Sequence, residues 1–93
     1  MRRAARTDSN HAEIVEALRR AGASVQSLAP VGCGCPDLLV GLRGVNTLLE
    51  VKDGSKRPSA RRLTVDETRW HRAWLGQVVV VETVEQALKA VGL

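Results

Sequence analysis

Asp37-Leu38-Leu39-Val40-Gly41-Leu42-Arg43-Gly44-Val45-Asn46-Thr47-Leu48-Leu49-Glu50-Val51-Lys52 is the stretch that decides the fold. Two β-rich runs, Asp37 to Leu42 and Asn46 to Val51, flank Arg43-Gly44-Val45, which is a hairpin signal. If the chain turns on Arg43-Gly44, Leu42 faces Val45, and counting back sets Asp37 across from Glu50, about 5 Å apart at Cβ. Side chains alternate along a strand, so Glu50 and Lys52 share one face and Val51 takes the other. Charged residues thus stand where a strand is expected to carry apolar ones. Opposed carboxylates repel unless a cation lies between them, and a divalent ion with oxygen ligands, Mg²⁺ or Mn²⁺, fits that arrangement. Lys52 beside them is suited to position or help activate a water and to neutralise a phosphate. The plainer alternative is an exposed Glu50–Lys52 ion pair, with Asp37 a turn residue after Pro36.

Outward from the hairpin, the pattern predicts one α/β domain over residues 1–93, in the order α-β-β-β-α-β-α. A basic arm, residues 1–9 with Arg2, Arg3 and Arg6, shows no apolar period. A helix from about Asn10 carries Ile14, Leu18 and Ala21 on one face and ends at Gly22. Ala23 to Ala29 reads as the first strand. Asp53 to Arg62 is a charged loop with Gly54 and Pro58. Leu63 to Leu75 reads as a helix capped by Thr64, Gln77 to Val81 as a parallel strand buried on both faces, and Val84 or Glu85 to Val91 as a last helix. The helical crossover makes the fourth strand parallel to its neighbour, giving a small mixed four-stranded sheet flanked by helices.

Composition narrows the function. Among 93 residues, 44% are hydrophobic and 26% charged, as in a globular domain. No apolar run approaches the roughly 20 residues of a membrane helix, and no signal-peptide core follows the basic start, so a soluble cytoplasmic chain without membrane contact is expected. The net charge of +4 and the isoelectric point near 9.8 suit an anionic partner. With no Phe or Tyr and only Trp70 and Trp74, base-stacking RNA modules are disfavoured. Cys33 and Cys35 have no second pair to complete a zinc site, and the glycine-rich turn around them lacks the Gly-Lys-Ser/Thr of a phosphate loop. Its glycines suit close approach of backbone, metal and DNA. Lys56, Arg57, Arg61 and Arg62 follow Lys52, the end of the proposed site, within ten residues. A metal-binding acidic pair beside cationic groups that hold the DNA backbone is what phosphodiester cleavage requires.

These residues resemble a known family. Pro36-Asp37, twelve intervening residues and Glu50-Val51-Lys52 are similar to the PD-(D/E)XK nuclease signature. More narrowly, three blocks in order resemble the stand-alone VRR-NUC nucleases common in bacteriophages. They are Gly34-x-Pro36-Asp37-Leu38-Leu39-Val40-Gly41, Leu49-Glu50-Val51-Lys52-Asp53-Gly54 and Leu63-Thr64-x-x-Glu67-x-x-Trp70-His71. The resemblance implies metal-dependent DNA cleavage leaving a 5′-phosphate. Asp37 and Glu50 would be carboxylate ligands, the Val51 carbonyl a further ligand, and Lys52 the catalytic lysine. It also implies a homodimer acting on branched DNA like a Holliday junction resolvase, in the host cytoplasm if phage-encoded; related domains act on flaps. The alternatives are a flap or general DNA nuclease, or a non-catalytic DNA-binding module of the same fold.

Five further residues need weighing. Glu13 matches a first-helix glutamate that such nucleases place near the metal, yet Asn10-x-x-Glu13 is also a good capping box. Glu67 shares a helical stripe with Leu63, Trp70 and Trp74, so it is expected to point inward and to need Lys52 or the metal shell as partner. The family commonly has glutamine there. Trp70 and Trp74, four residues apart, read as core rather than as base-stacking residues. His71 beside them reads as a partly buried helix residue or a general base.

Overall fold

Helix α1 (His11–Arg20) begins the ordered elements of the computed structural model, which describes residues 8–93. The basic arm with Arg2, Arg3 and Arg6 falls mostly outside the described residues. Ile14 and Leu18, one turn apart, are fully buried, but Ala21 is the exposed C-cap rather than part of the stripe. Gly22, at φ +97°, and Ala23 close the helix by donating to the Arg19 and Leu18 carbonyls. Strand β1 (Ser24–Ser27) is shorter than expected, because Ala29–Val31 winds with Pro30 into a 3₁₀ turn.

Strands β2 (Leu38–Leu42) and β3 (Val45–Val51) form the expected hairpin, with Leu42 paired to Val45. Arg43 at φ +53° and Gly44 at φ +80° make the two-residue turn of the I′ kind, whose twist matches that of the strands. Helix α2 (Val65–Ala73) crosses to strand β4 (Val78–Val81), and helix α3 (Val84–Ala90) closes the fold. The sheet order is β1-β2-β3-β4, antiparallel except for β3 and β4, which are parallel. The loop from Asp53 holds one 3₁₀ turn, Pro58–Arg61.

Alternation divides the sheet into two faces. Val40, Leu38, Leu49, Val51 and Val81 point to the face where Ile14 and Leu18 of α1 and Ala87 of α3 complete the buried core. Asp37, Glu50 and Lys52 belong to the opposite face, where α2 reaches the sheet. Both tryptophans depart from the expected core. Trp70 and Trp74 stack on one another, ring centroids 4.7 Å apart, yet Trp74 is 45% exposed and α2 has no buried residue. The physical reason is that α2 turns Glu67 and His71, not its tryptophans, toward the sheet. Strand β4 is likewise not buried on both faces: it is an edge strand, and Val80 is 40% exposed. Among the described residues no helix is long and apolar enough to cross a membrane.

Candidate active site

The open end of the β2–β3 hairpin builds the site. The ladder's last pair is Leu38 with Leu49, so the next positions outward are Asp37 and Glu50, as counting from the turn requires. Pro36 is buried, and the Asp37 carbonyl accepts the Leu28 N–H at 2.7 Å, which anchors the backbone there. The Asp37 side chain crosses to β3, where Oδ2 accepts the Val51 N–H at 2.7 Å. Asp37 is therefore not a free turn residue. The Glu50–Lys52 pair is not an exposed ion pair either, since the two residues are 1% and 8% exposed.

Helix α2 supplies the other half. Thr64 and Glu67 form a capping box: Thr64 Oγ1 accepts the Glu67 N–H, and Glu67 Oε1 accepts the Thr64 N–H at 2.8 Å. The same Oε1 accepts Lys52 Nζ at 2.7 Å, so the expected Glu67–Lys52 pair is present. His71 Nε2 lies 3.2 Å from Glu50 Oε1. Gly34 lets this helix approach. It sits at φ +82°, and a Cβ there would stand 2.2 Å from the Asp66 carbonyl oxygen. The close approach expected of the glycine turn is thus made to the α2 backbone.

Asp8, Asp37, Glu50, Val51, Lys52, Lys56 and Glu67 line one cleft of about 520 Å³. Burial, with the Asp37 carboxylate alongside and Glu67 beyond, pushes Glu50 up to about 9, against the pull of Lys52. Burial works against the Lys52 ammonium, but the Glu67 carboxylate more than offsets it and holds the pKa above the ordinary lysine value. Glu67 is lowered because Lys52 and the Thr64 N–H outweigh its burial. Cys35, close by, has its thiol pushed up by burial and by Glu50 and Asp37. A buried and a half-buried carboxylate side by side, with the nearest ammonium committed to a third, form a donor set that fits a divalent cation. Among the described residues no three Cys, His, Asp or Glu side chains converge as a ready-made metal centre. A bound ion would therefore draw on Asp37, Glu50, the Val51 carbonyl and water.

Other expected residues lie elsewhere. Glu13 is exposed and lines a separate cavity with Asn10, Asp53, Ser55 and Glu82, so it does not join Asp37 and Glu50. Its capping-box reading fails too, because Asn10 makes no side-chain cap. Asn10 Nδ2 instead donates to the Lys52 and Glu82 carbonyls at 3.1 and 3.0 Å, tying the start of α1 to the ends of β3 and β4. Lys56 reaches the cleft, 3.7 Å from Asp8. Arg57 and Arg62 are exposed, whereas Arg61 pairs with Glu82 at 3.1 Å. Asp8 went unnoticed in the sequence because it lies in the charged, non-periodic segment before α1. The larger cavity, about 650 Å³ beside α1, is lined by Val15, Val25 and Leu38 among others and contains neither Asp37 nor Glu50.

No protein-family model and no curated protein matches this sequence. Among solved structures, the chain is similar to one described as a VRR_NUC domain, at 32% identity and a TM-score of 0.59. The match covers 82% of this chain and 83% of that one.

Proposed function

Because this chain belongs to the VRR_NUC family and is a nuclease-type domain, we propose that it is a metal-dependent DNA endonuclease of the PD-(D/E)XK kind. Its substrate would be branched DNA, handled in the manner of a Holliday junction resolvase. The observation that carries this reading is the pairing of buried Glu50 with half-buried Asp37, with Lys52 in the same cleft. Asp37, Glu50 and the Val51 carbonyl would hold Mg²⁺ or Mn²⁺. When bound, such an ion supplies charge stabilisation at the phosphate and a more acidic water.

The chain's own groups do the rest. Lys52, held as an ammonium by Glu67, donates toward the attacking water and the phosphate oxygens and so orients in-line attack. Cleavage would leave a 5′-phosphate. Lys56, Arg57 and Arg62 would grip the backbone without reading sequence. Arg61, engaged by Glu82, contributes less to that grip and more to fixing the loop. A homodimer would present two such clefts to a junction, and the exposed Val80, Trp74 and Leu75 supply apolar surface for it.

The test is incubation with Mg²⁺ or Mn²⁺ and labelled junction, flap, single-stranded and duplex DNA, with an RNA control. Junction cleavage is expected, and Lys52→Ala should lower its rate about 10²–10⁴-fold. Salt-dependent binding with no cleavage of any substrate would make the domain a non-catalytic DNA-binding module. Undiminished cleavage by the variant would remove Lys52 from the mechanism.

A further inference from the structure

We propose that His71 is a positioning residue that holds the Glu50 carboxylate in its working orientation. It would be the second arm of a two-point brace whose first arm is Glu67 on Lys52. The brace follows from matching repeats. Glu67 and His71 are four residues apart on α2, a rise of roughly 6 Å on one helix face. Glu50 on β3 and Lys52, one residue past its end, are two residues apart along the extended chain, a rise of roughly 6.6 Å on one face. The helix lies along the strand in the opposite sense, so the earlier helix residue meets the later strand residue. Glu67 meets Lys52 at 2.7 Å, and His71 meets Glu50 at 3.2 Å.

Both members of the second contact are removed from water, with His71 14% exposed at its side chain and Glu50 1%. No residue of the helix is fully buried, so these two polar contacts are a substantial part of what ties it to the sheet. The Trp70 ring meets the imidazole edge-on, centroids 6.0 Å apart and planes at 72°. When a bound cation keeps Glu50 ionised, Nε2–H donating to Oε1 holds the carboxylate against the helix, and its other oxygen remains for the cleft it shares with Asp37. A hydrogen-bonded partner of this kind orients a ligand and is worth about 10–100-fold in metal affinity.

The inference rests on the reading of Glu50 as a metal ligand, and the experiment separates the two. Mn²⁺ alone, without DNA, is titrated calorimetrically into the full chain and into Glu50→Gln, His71→Ala, His71→Asn and His71→Gln. Thermal unfolding in chelator shows that each variant is folded. Wild type should bind and Glu50→Gln should not. His71→Ala should weaken binding about 10–100-fold. His71→Gln, whose amide nitrogen stands where Nε2 does, should return affinity to within a few-fold of wild type. His71→Asn, whose amide is too short, should not. Should His71→Ala fail to fold, the Asn and Gln variants carry the same comparison. Wild-type affinity in His71→Asn, or an equal loss in His71→Gln and His71→Asn, would overturn the positioning role. Absence of Mn²⁺ binding by the wild type, or unchanged binding by Glu50→Gln, would overturn the ligand reading itself and the inference with it.

Discussion

Glu50 is kept 1% exposed beside a second carboxylate, and that combination governs how the metal-free protein responds to pH. Its folded-state pKa rises from 4.5 to about 9, so the neutral form is favoured by folding. The associated stabilisation is complete below pH 4.5 and is lost as pH climbs through about 9. In chelator, Tm should therefore fall across that window, and Glu50→Gln should flatten the fall while raising Tm at its alkaline end. A parallel decline in the variant would show that another group is responsible. His71 adds to the same local logic: its pKa is lowered mainly by burial, which favours the neutral imidazole, able to accept from protonated Glu50 in the metal-free protein and to donate to the carboxylate once an ion is bound. At this scale the sequence was legible for Asp37, Glu50, Lys52 and Glu67, because alternation and helical spacing specify which face each occupies. Asp8 was not legible, since no period reaches it. Glu13 matched a pattern that the helix then rotated away from the cleft.

At the scale of elements, α2 departs most from expectation. A stripe containing two tryptophans reads as a core face, yet the helix meets the sheet through Glu67 and His71 and through the backbone contact at Gly34. Gly34→Ala tests that contact against a built-in control. Gly32→Ala imposes only backbone strain, at φ +72° and ψ −162° where glycine alone sits readily, with nothing within 4 Å of the new methyl, and should cost about 1–3 kcal/mol. Gly34→Ala also places a side chain at positive φ, +82°, and adds an overlap with the Asp66 carbonyl, so it should lose more stability in urea unfolding. It should also lower cleavage, because displacing the start of α2 moves Glu67 off Lys52. Equal losses from the two substitutions would remove Gly34 from the positioning of the helix. The hairpin, by contrast, was legible throughout: its turn residues and the alternation on either side agree on a single register.

Over the whole molecule, one sheet face is sealed by α1 and α3 while the other carries the cleft and exposed apolar residues. Val80 lies on edge strand β4, 40% exposed, with unpaired backbone beside it. If the proposed homodimer forms through that edge, wild type should sediment as a dimer at micromolar concentration and Val80→Lys as a monomer. Paired incision of a junction should then become single nicking. An unchanged dimer in that variant would place the interface elsewhere.

The sequence by itself determined the order of elements, the hairpin register and the meeting of Asp37 with Glu50. These follow from turn chemistry and from the two-residue repeat of a strand, which act over short stretches of chain. Only the tertiary structure decided that Asp8 rather than Glu13 enters the cleft, that Arg61 is held by Glu82, that the tryptophans stay outside the core and that His71 meets Glu50. Each of those depends on how a helix or loop is rotated against a sheet face distant in sequence. Local periodicity says which residues share a face, and only packing says what that face meets.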